Sequence, residues 1–389
     1  MTDKGEIMPL QGQEKKDKER APRLIALLSF AWIILFSLVP LLLFLDREPV
    51  ILPDEKDIIS LADPFPLQGA GAGDFAVIGS SLARIEDQGL ALLDAAGREQ
   101  SFIPFPYRKA RITRLEDFLL ATPDQGTGLF LLESNGSSLE MDTLQTVQGA
   151  DCRPGLLLTL GPATSGKATL MLYDYQAGSY GASLTLGGGQ WPLSVSFVPG
   201  KDAFDLLLLD LSQGQASSRL LRFDLEGGLL FDQLIAADEV LPRLVYLSSD
   251  RLVLYNDRVL ILFEVGQGPL VREAIAGDLL DIQAREGRLV LMTREGGTRV
   301  LDLLLNDRSG QTFSLYRPLE GEGLDHMALA TDGSVLLAFR SGELLLFDPA
   351  EGSLIARQVL EETVTGLLAL DSHHFLIVFE DQAALASIK

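Results

Sequence analysis

The chain has 389 residues, 47% of them hydrophobic, and its 54 acidic side chains outnumber 32 basic ones for a net charge of −22. Charge of that sign is repelled by nucleic acid and by anionic lipid surfaces, so it suits protein partners or cationic ligands instead. The single cysteine, Cys152, excludes an internal disulfide and leaves the fold to core packing.

Residues 1–23 are polar and charged, and read as a disordered cytoplasmic tail. They are followed by LIALLSFAWIILFSLVPLLLFL (24–45), 22 positions without a charge. At about 1.5 Å per residue such a helix spans roughly 33 Å, enough to cross the hydrocarbon core. Pro40 predicts a kink, which a membrane helix tolerates. The run is longer than a signal-peptide core, LFLDREPV offers no small-x-small cleavage site, and no cysteine follows closely enough to accept lipid. An uncleaved signal anchor is therefore expected. Lys4, Lys15, Lys16, Lys18, Arg20 and Arg23 precede the helix, whereas Arg47 alone lies close behind it. Positive-inside logic keeps the amino terminus cytoplasmic and exports the rest, making a single-pass protein of the inner (cytoplasmic) membrane. Residues 46–56 read as a linker, and the exported part carries a net of −23.

From residue 57 onward one landmark recurs: an aliphatic run, an acidic residue, then a glycine turn. It reads LALLDAAG (Asp94), LFLLESNG (Glu133), LMLYDYQAG (Asp174), LLRFDLEGG (Asp224), LILFEVGQG (Glu264), LLLNDRSG (Asp307) and LLLFDPAEG (Asp348). Successive landmarks lie 39, 41, 50, 40, 43 and 41 residues apart. A period near 40 made of short strands and hairpin turns predicts an all-β fold, a β-propeller over 57–389, since one blade cannot bury its own faces.

The clearest unit is HMALATDG (inner strand), SVLLAFRSG (second), ELLLFDPAEG (third) and SLIARQVLE (outer), over 326–361. Nearly continuous aliphatics in the middle two strands predict burial on both faces. After it come VTGLLALDS, HHFLIVFEDQ and AALASIK, three strands and no fourth. DIISLADPFPLQ (57–68) has no unit of its own, and pairing it with those three would remove two exposed sheet edges. Eight blades closed in this way is the reading; seven is the alternative. The long interval from Asp174 to Asp224 predicts enlarged loops at LGGGQWP (186–192) and DLSQGQASS (210–218).

Few residues suggest chemistry. GPATSGKAT (161–169) nearly spells a phosphate-binding loop, but Ala168 stands where a magnesium-holding Ser or Thr belongs, and a strand pattern follows in place of a helix. His326, His373 and His374 fall at opposite ends of strands, and no Cys–His spacing suits zinc. NDRSGQTF (306–313) is near an Asp-box turn with one residue too many. No catalytic, cofactor-binding or metal-binding residue is assigned, and the chain reads as a non-enzyme without a cofactor. One stretch stands out: FIPFPYRKARITR (102–114) gathers Arg108, Lys109, Arg111 and Arg114 beside Phe105 and Tyr107. It reads either as a solvated turn with paired arginines or as a surface for an acidic partner with aromatic anchors. Trp191 marks the next candidate surface.

The repeats resemble the WD40-like and quinoprotein-like propeller superfamily. The aliphatic-Asp turn of LLLFD is there, although the Trp-Asp dipeptide is not, and one cysteine cannot supply vicinal cysteines. The layout is also similar to that of bacterial proteins holding a propeller outside the cell on one amino-terminal helix. It is similar to the outer-membrane assembly propeller too, without that protein's lipid-accepting cysteine. The resemblance implies fold and topology. The function expected is a membrane-anchored, extracytoplasmic scaffold for other envelope proteins; a small-ligand-binding or hydrolytic site in the central channel is the alternative.

Overall fold

The computed structural model describes residues 58–389 apart from 80, 95, 108–109, 116, 125, 162–166, 213, 286–287, 296–297, 305–311, 317–322 and 349–352. The 24–45 segment and the tail before it lie outside the described residues.

Among the described residues there are seven four-stranded antiparallel sheets and an eighth with five strands. In chain order they occupy 75–104, 111–142, 149–185, 190–237, 243–274, 278–316, 324–359 and 366–388, the first seven each running from inner to outer strand by consecutive hairpins. The eighth sheet is completed from the other end of the chain. Ile59–Leu61 pairs with the last strand through Ile59↔Ile388 and Leu61↔Ala386, and Phe65–Pro66 pairs with the same strand through Phe65↔Ala383. The main chain adds bonds from Ala62 N to Leu385 O at 2.8 Å and from Lys389 N to Ile58 O at 2.9 Å.

The unbroken aliphatic runs follow from how the sheets stack. In His374–Val378, Phe375 and Ile377 pack toward the seventh sheet, while Leu376 and Val378 pack toward the first. A strand buried on both faces needs apolar residues at every position, since successive side chains point to opposite faces. Eight separate cores result, one between each pair of consecutive sheets, with the eighth sheet sharing its second core with the first.

Each described landmark acid ends or directly follows the third strand of its sheet, and in three of them the carboxylate ties the main chain of the next turn. The Asp94 carboxylate accepts from Ala96 N and Arg98 N, both at 2.8 Å. Asp174 accepts from Gln176 N and Ala177 N at 3.0 and 2.8 Å, and Asp224 from Gly228 N at 2.6 Å. The glycine is needed because the chain turns through positive φ, 69° at Gly97, 65° at Gly178 and 87° at Gly227. Asp307 lies outside the described residues.

Part of the long interval is the expected loop within DLSQGQASS, six residues (211–216) against three (340–342) at the same place in the seventh sheet, and the rest is spent on longer strands. The fourth sheet has strands of 8, 8, 8 and 9 residues, against 6, 5, 5 and 6 in the seventh. Trp191 accordingly sits within a strand, paired with Leu209, rather than in an enlarged loop. Local composition (three glycines, then a proline) favoured a loop; pairing with the apolar strand Ala203–Asp210 overrode it.

Candidate functional site

The basic stretch is split between core and channel. Glu99–Pro104 is the outer strand of the first sheet, and Phe105 follows it into the core, 9% exposed. Its ring meets Phe130 edge-on at 5.9 Å. Tyr107 is half-buried in the same core, and its hydroxyl fills the space over Gly128 that a Cβ there would need. Burial raises the Tyr107 pKa above its ordinary value. These two aromatics wedge the first sheet against the second and are not exposed anchors: burying a ring this size is worth about 1.5–3 kcal/mol, more than leaving it on a rim. Arg108 and Lys109 lie outside the described residues.

Arg111 and Arg114 open and close the inner strand of the second sheet. Arg111 donates to Val147 O, and Arg114 donates to Gly73 O. Loss of water around Arg114 lowers its pKa, with Asp74 acting the other way. Trp191 is 49% exposed. The structure thus keeps Arg111 and Arg114 together on one inner strand and separates them from the aromatics.

Inner strands from five consecutive sheets line an open cavity of about 360 Å³, whose lining includes Arg114, Arg285, Val77, Leu329 and Leu368. A second cavity of about 330 Å³ shares Gln283 and Leu367 with it and is lined further by Asp281, Asp325 and His326. Burial raises the Asp281 pKa, against bonds from Gln283 Nε2 and Ile282 N and the charge of His326. Sequence reading missed Arg285 and Asp281. A single exposed-looking residue in a strand of mixed polarity carries no sign of which neighbours it will face.

Other polar groups fasten neighbouring sheets. Asp151 accepts from Ser196 Oγ and Phe197 N, each at 2.7 Å, and burial raises its pKa. Gln283 reaches the seventh sheet, accepting from Leu329 N at 2.9 Å and donating to Met327 O at 3.0 Å. The buried Asp205 holds Arg222 through two bonds of 2.7 and 2.8 Å and accepts from Tyr246 Oη at 2.7 Å. Cys152 is buried, its thiol pKa pushed up by desolvation, and its Sγ donates to Leu156 O at 3.3 Å.

The remaining sequence candidates resolve as follows. His326 lies within the inner strand Leu324–Leu329; His374 opens a second strand and bonds Asp371 at 2.9 Å. Among the described residues no three His, Cys, Asp or Glu side chains are grouped to hold a metal ion. After the glycine-rich 161–167 segment, Thr169 opens a strand, so no helix amino terminus faces that loop. Of NDRSGQTF, 306–311 lie outside the described residues.

No family model matches the chain, and no curated protein matches it. Solved structures do. The C-terminal WD40 domain of Sif2 is similar with a TM-score of 0.56 at 12% identity, covering 85% of this chain and 98% of that one. The fold is that of a WD40-like β-propeller. The β-propeller domain of Cps50 (Swd1) from Myceliophteria thermophila also matches, with a TM-score of 0.42 at 14% identity over 72% of this chain and 95% of that one. At such identities the likeness of this WD40-like propeller extends to architecture alone.

Proposed function

We propose that the chain is a membrane-tethered scaffold: an eight-bladed WD40-like propeller, held outside the inner membrane by the 24–45 helix, that docks another envelope protein. The eight sheets and the eight cores they share support the blade count. The uncharged 22-residue run and the basic tail support the topology.

The observation that carries the docking role is the outer strand of the fourth sheet, Leu229–Ala237. It is an edge strand of nine residues, with Leu229, Leu230 and Leu234 exposed at 55%, 59% and 51%. Its one charge, Asp232, is neutralised by Arg219 at 2.6 and 2.7 Å. Sheet edges are normally guarded by charge, proline or shortness. The outer strand Gly268–Ala274 carries Pro269, Arg272 and Glu273, and Leu354–Val359 carries Arg357. Leu229–Ala237 lacks such guards and offers free backbone groups for strand addition. The occupant is an extended, apolar, non-acidic segment of a different protein. A second copy is disfavoured because each chain carries a charge of −22.

A Leu230→Asp, Leu234→Asp double variant of the full chain should keep its melting temperature, because both side chains are already in water. It should lose the partner that a photo-crosslinker at Leu229 captures from the wild type. Retention of the same crosslinked partner by the double variant would exclude this edge. A homodimer broken by the variant would make the occupant a second copy. Orientation is tested separately: protease added to intact spheroplasts should digest the repeats and spare residues 1–23.

A further inference from the structure

Two guanidinium groups reach one cavity from the two ends of an arc of inner strands. Arg114 closes the inner strand of the second sheet and Arg285 closes that of the sixth. Both line the cavity of about 360 Å³, and the wall between them is apolar, formed by Val77, Ala328, Leu329 and Leu368. Several other arginines of this acidic chain hold carboxylates: Arg84 with Glu86, Arg153 with Asp202, Arg222 with Asp205, Arg251 with Glu264. Arg114 donates to a neutral carbonyl, that of Gly73; the Asp74 carboxylate acts on it through its charge but accepts its hydrogen bond from Gly71 N and forms no ion pair with it. Arg285 forms no ion pair with a described residue. In a chain with 54 acidic side chains, two arginines facing one cavity without a bound carboxylate leave room for an anion from outside.

We propose that this cavity binds a small organic carboxylate, its carboxyl group held by Arg114 and Arg285 and its apolar body resting on Leu329 and Leu368. A guanidinium presents paired donors that match a carboxylate's two oxygens. The apolar wall lowers the polarity beside the guanidinium groups and so strengthens that attraction. The cavity lies within the roughly 300–1,000 Å³ range of small-molecule sites. Asp281, in the adjoining cavity, repels a carboxylate and so directs the charged end toward the arginines. Inorganic phosphate has the charge but no apolar body, and so lacks half of the recognition. This site is separate from the outer strand of the fourth sheet, and stands whether or not a protein docks there.

The full chain in non-ionic detergent is titrated by calorimetry at low salt with benzoate and, in a second arm, with inorganic phosphate. Saturable one-to-one benzoate binding is expected, with phosphate weaker. Arg285→Gln removes a charge-assisted bond and should weaken benzoate about tenfold. Its melting temperature should not move, because no ion pair is lost. Arg285→Lys, which keeps the charge without the paired donors, should fall between the two. Arg114→Gln should give the same loss from the opposite wall, so the assignment remains testable if either variant folds poorly. Absence of saturable benzoate binding to the wild type overturns the site, as does undiminished binding in Arg285→Gln. Phosphate binding tighter than benzoate overturns the assigned ligand class.

Discussion

Removing one ring from the closing segment should loosen the whole eighth sheet. Phe65 is 6% exposed and packs with Leu67, Phe75, Leu93, Leu376 and Leu385, in the core shared by the eighth and first sheets. It also lies over the turn at Gly97, where an added Cβ would collide with the ring. Phe→Ala at such a site costs about 3–5 kcal/mol, transfer and cavity together. Unfolding entropy of roughly 2.1 cal/mol/K per residue, over about 330 residues, gives about 0.7 kcal/mol per degree, so the melting temperature should fall by roughly 4–7 °C. Leu61→Ala is the control: Leu61 sits in the same segment but is 37% exposed, and should cost less than about 1 kcal/mol. Both are read by circular dichroism on the full chain in detergent, with hydrogen exchange alongside. Amides of Gln382–Ile388 should lose protection in Phe65→Ala, while those of the fourth sheet keep theirs. An unchanged melting temperature, or equal losses in the two variants, would mean that 58–67 merely lies on the surface and does not complete the sheet.

Three further outcomes follow from buried groups. Asp205→Ala removes two bonds from the Arg222 guanidinium, itself 4% exposed, and leaves it Asp250 Oδ1 at 3.2 Å, so it should cost about 2–4 kcal/mol, whereas Tyr246→Phe removes one bond to the same carboxylate and should cost only about 1–2; urea unfolding ranks them, and the reverse order would refute the network. Gly342→Ala places a Cβ 2.6 Å from Leu360 O and 2.7 Å from Glu362 O at a φ of 86°, so a loss of about 1–3 kcal/mol is expected in the same assay. The raised pKa of Asp281 means that the folded state binds its proton more tightly than the unfolded chain does. Its contribution to stability is fully present below the ordinary value of 3.8 and is lost as pH rises through the folded value. The stability of Asp281→Asn relative to wild type should therefore improve between pH 4 and pH 7; a shift the other way would show that its hydrogen bonds outweigh desolvation.

The sequence by itself determined the repeat, because its signals are local. A carboxylate that ties its own turn and a glycine that permits positive φ act within four or five residues, so Asp94, Asp174 and Asp224 mark strand ends wherever they occur. The continuous aliphatics of His374–Val378 likewise announced burial on both faces, and the missing fourth strand pointed to 57–68 as its source. Tertiary structure decided what depends on distant neighbours. Phe105 and Tyr107 looked like anchors beside a basic run, yet the adjacent sheet supplied Phe130 and Gly128, and burial won over exposure. Trp191 followed a glycine-rich segment that reads as a loop, but an apolar strand across from it drew it into a ladder. Arg114 and Arg285 are far apart in the chain and share a cavity only because eight sheets close on one another. Local patterns encode the blade; the register and closure of the sheets, which no short window contains, decide which side chains meet inside it.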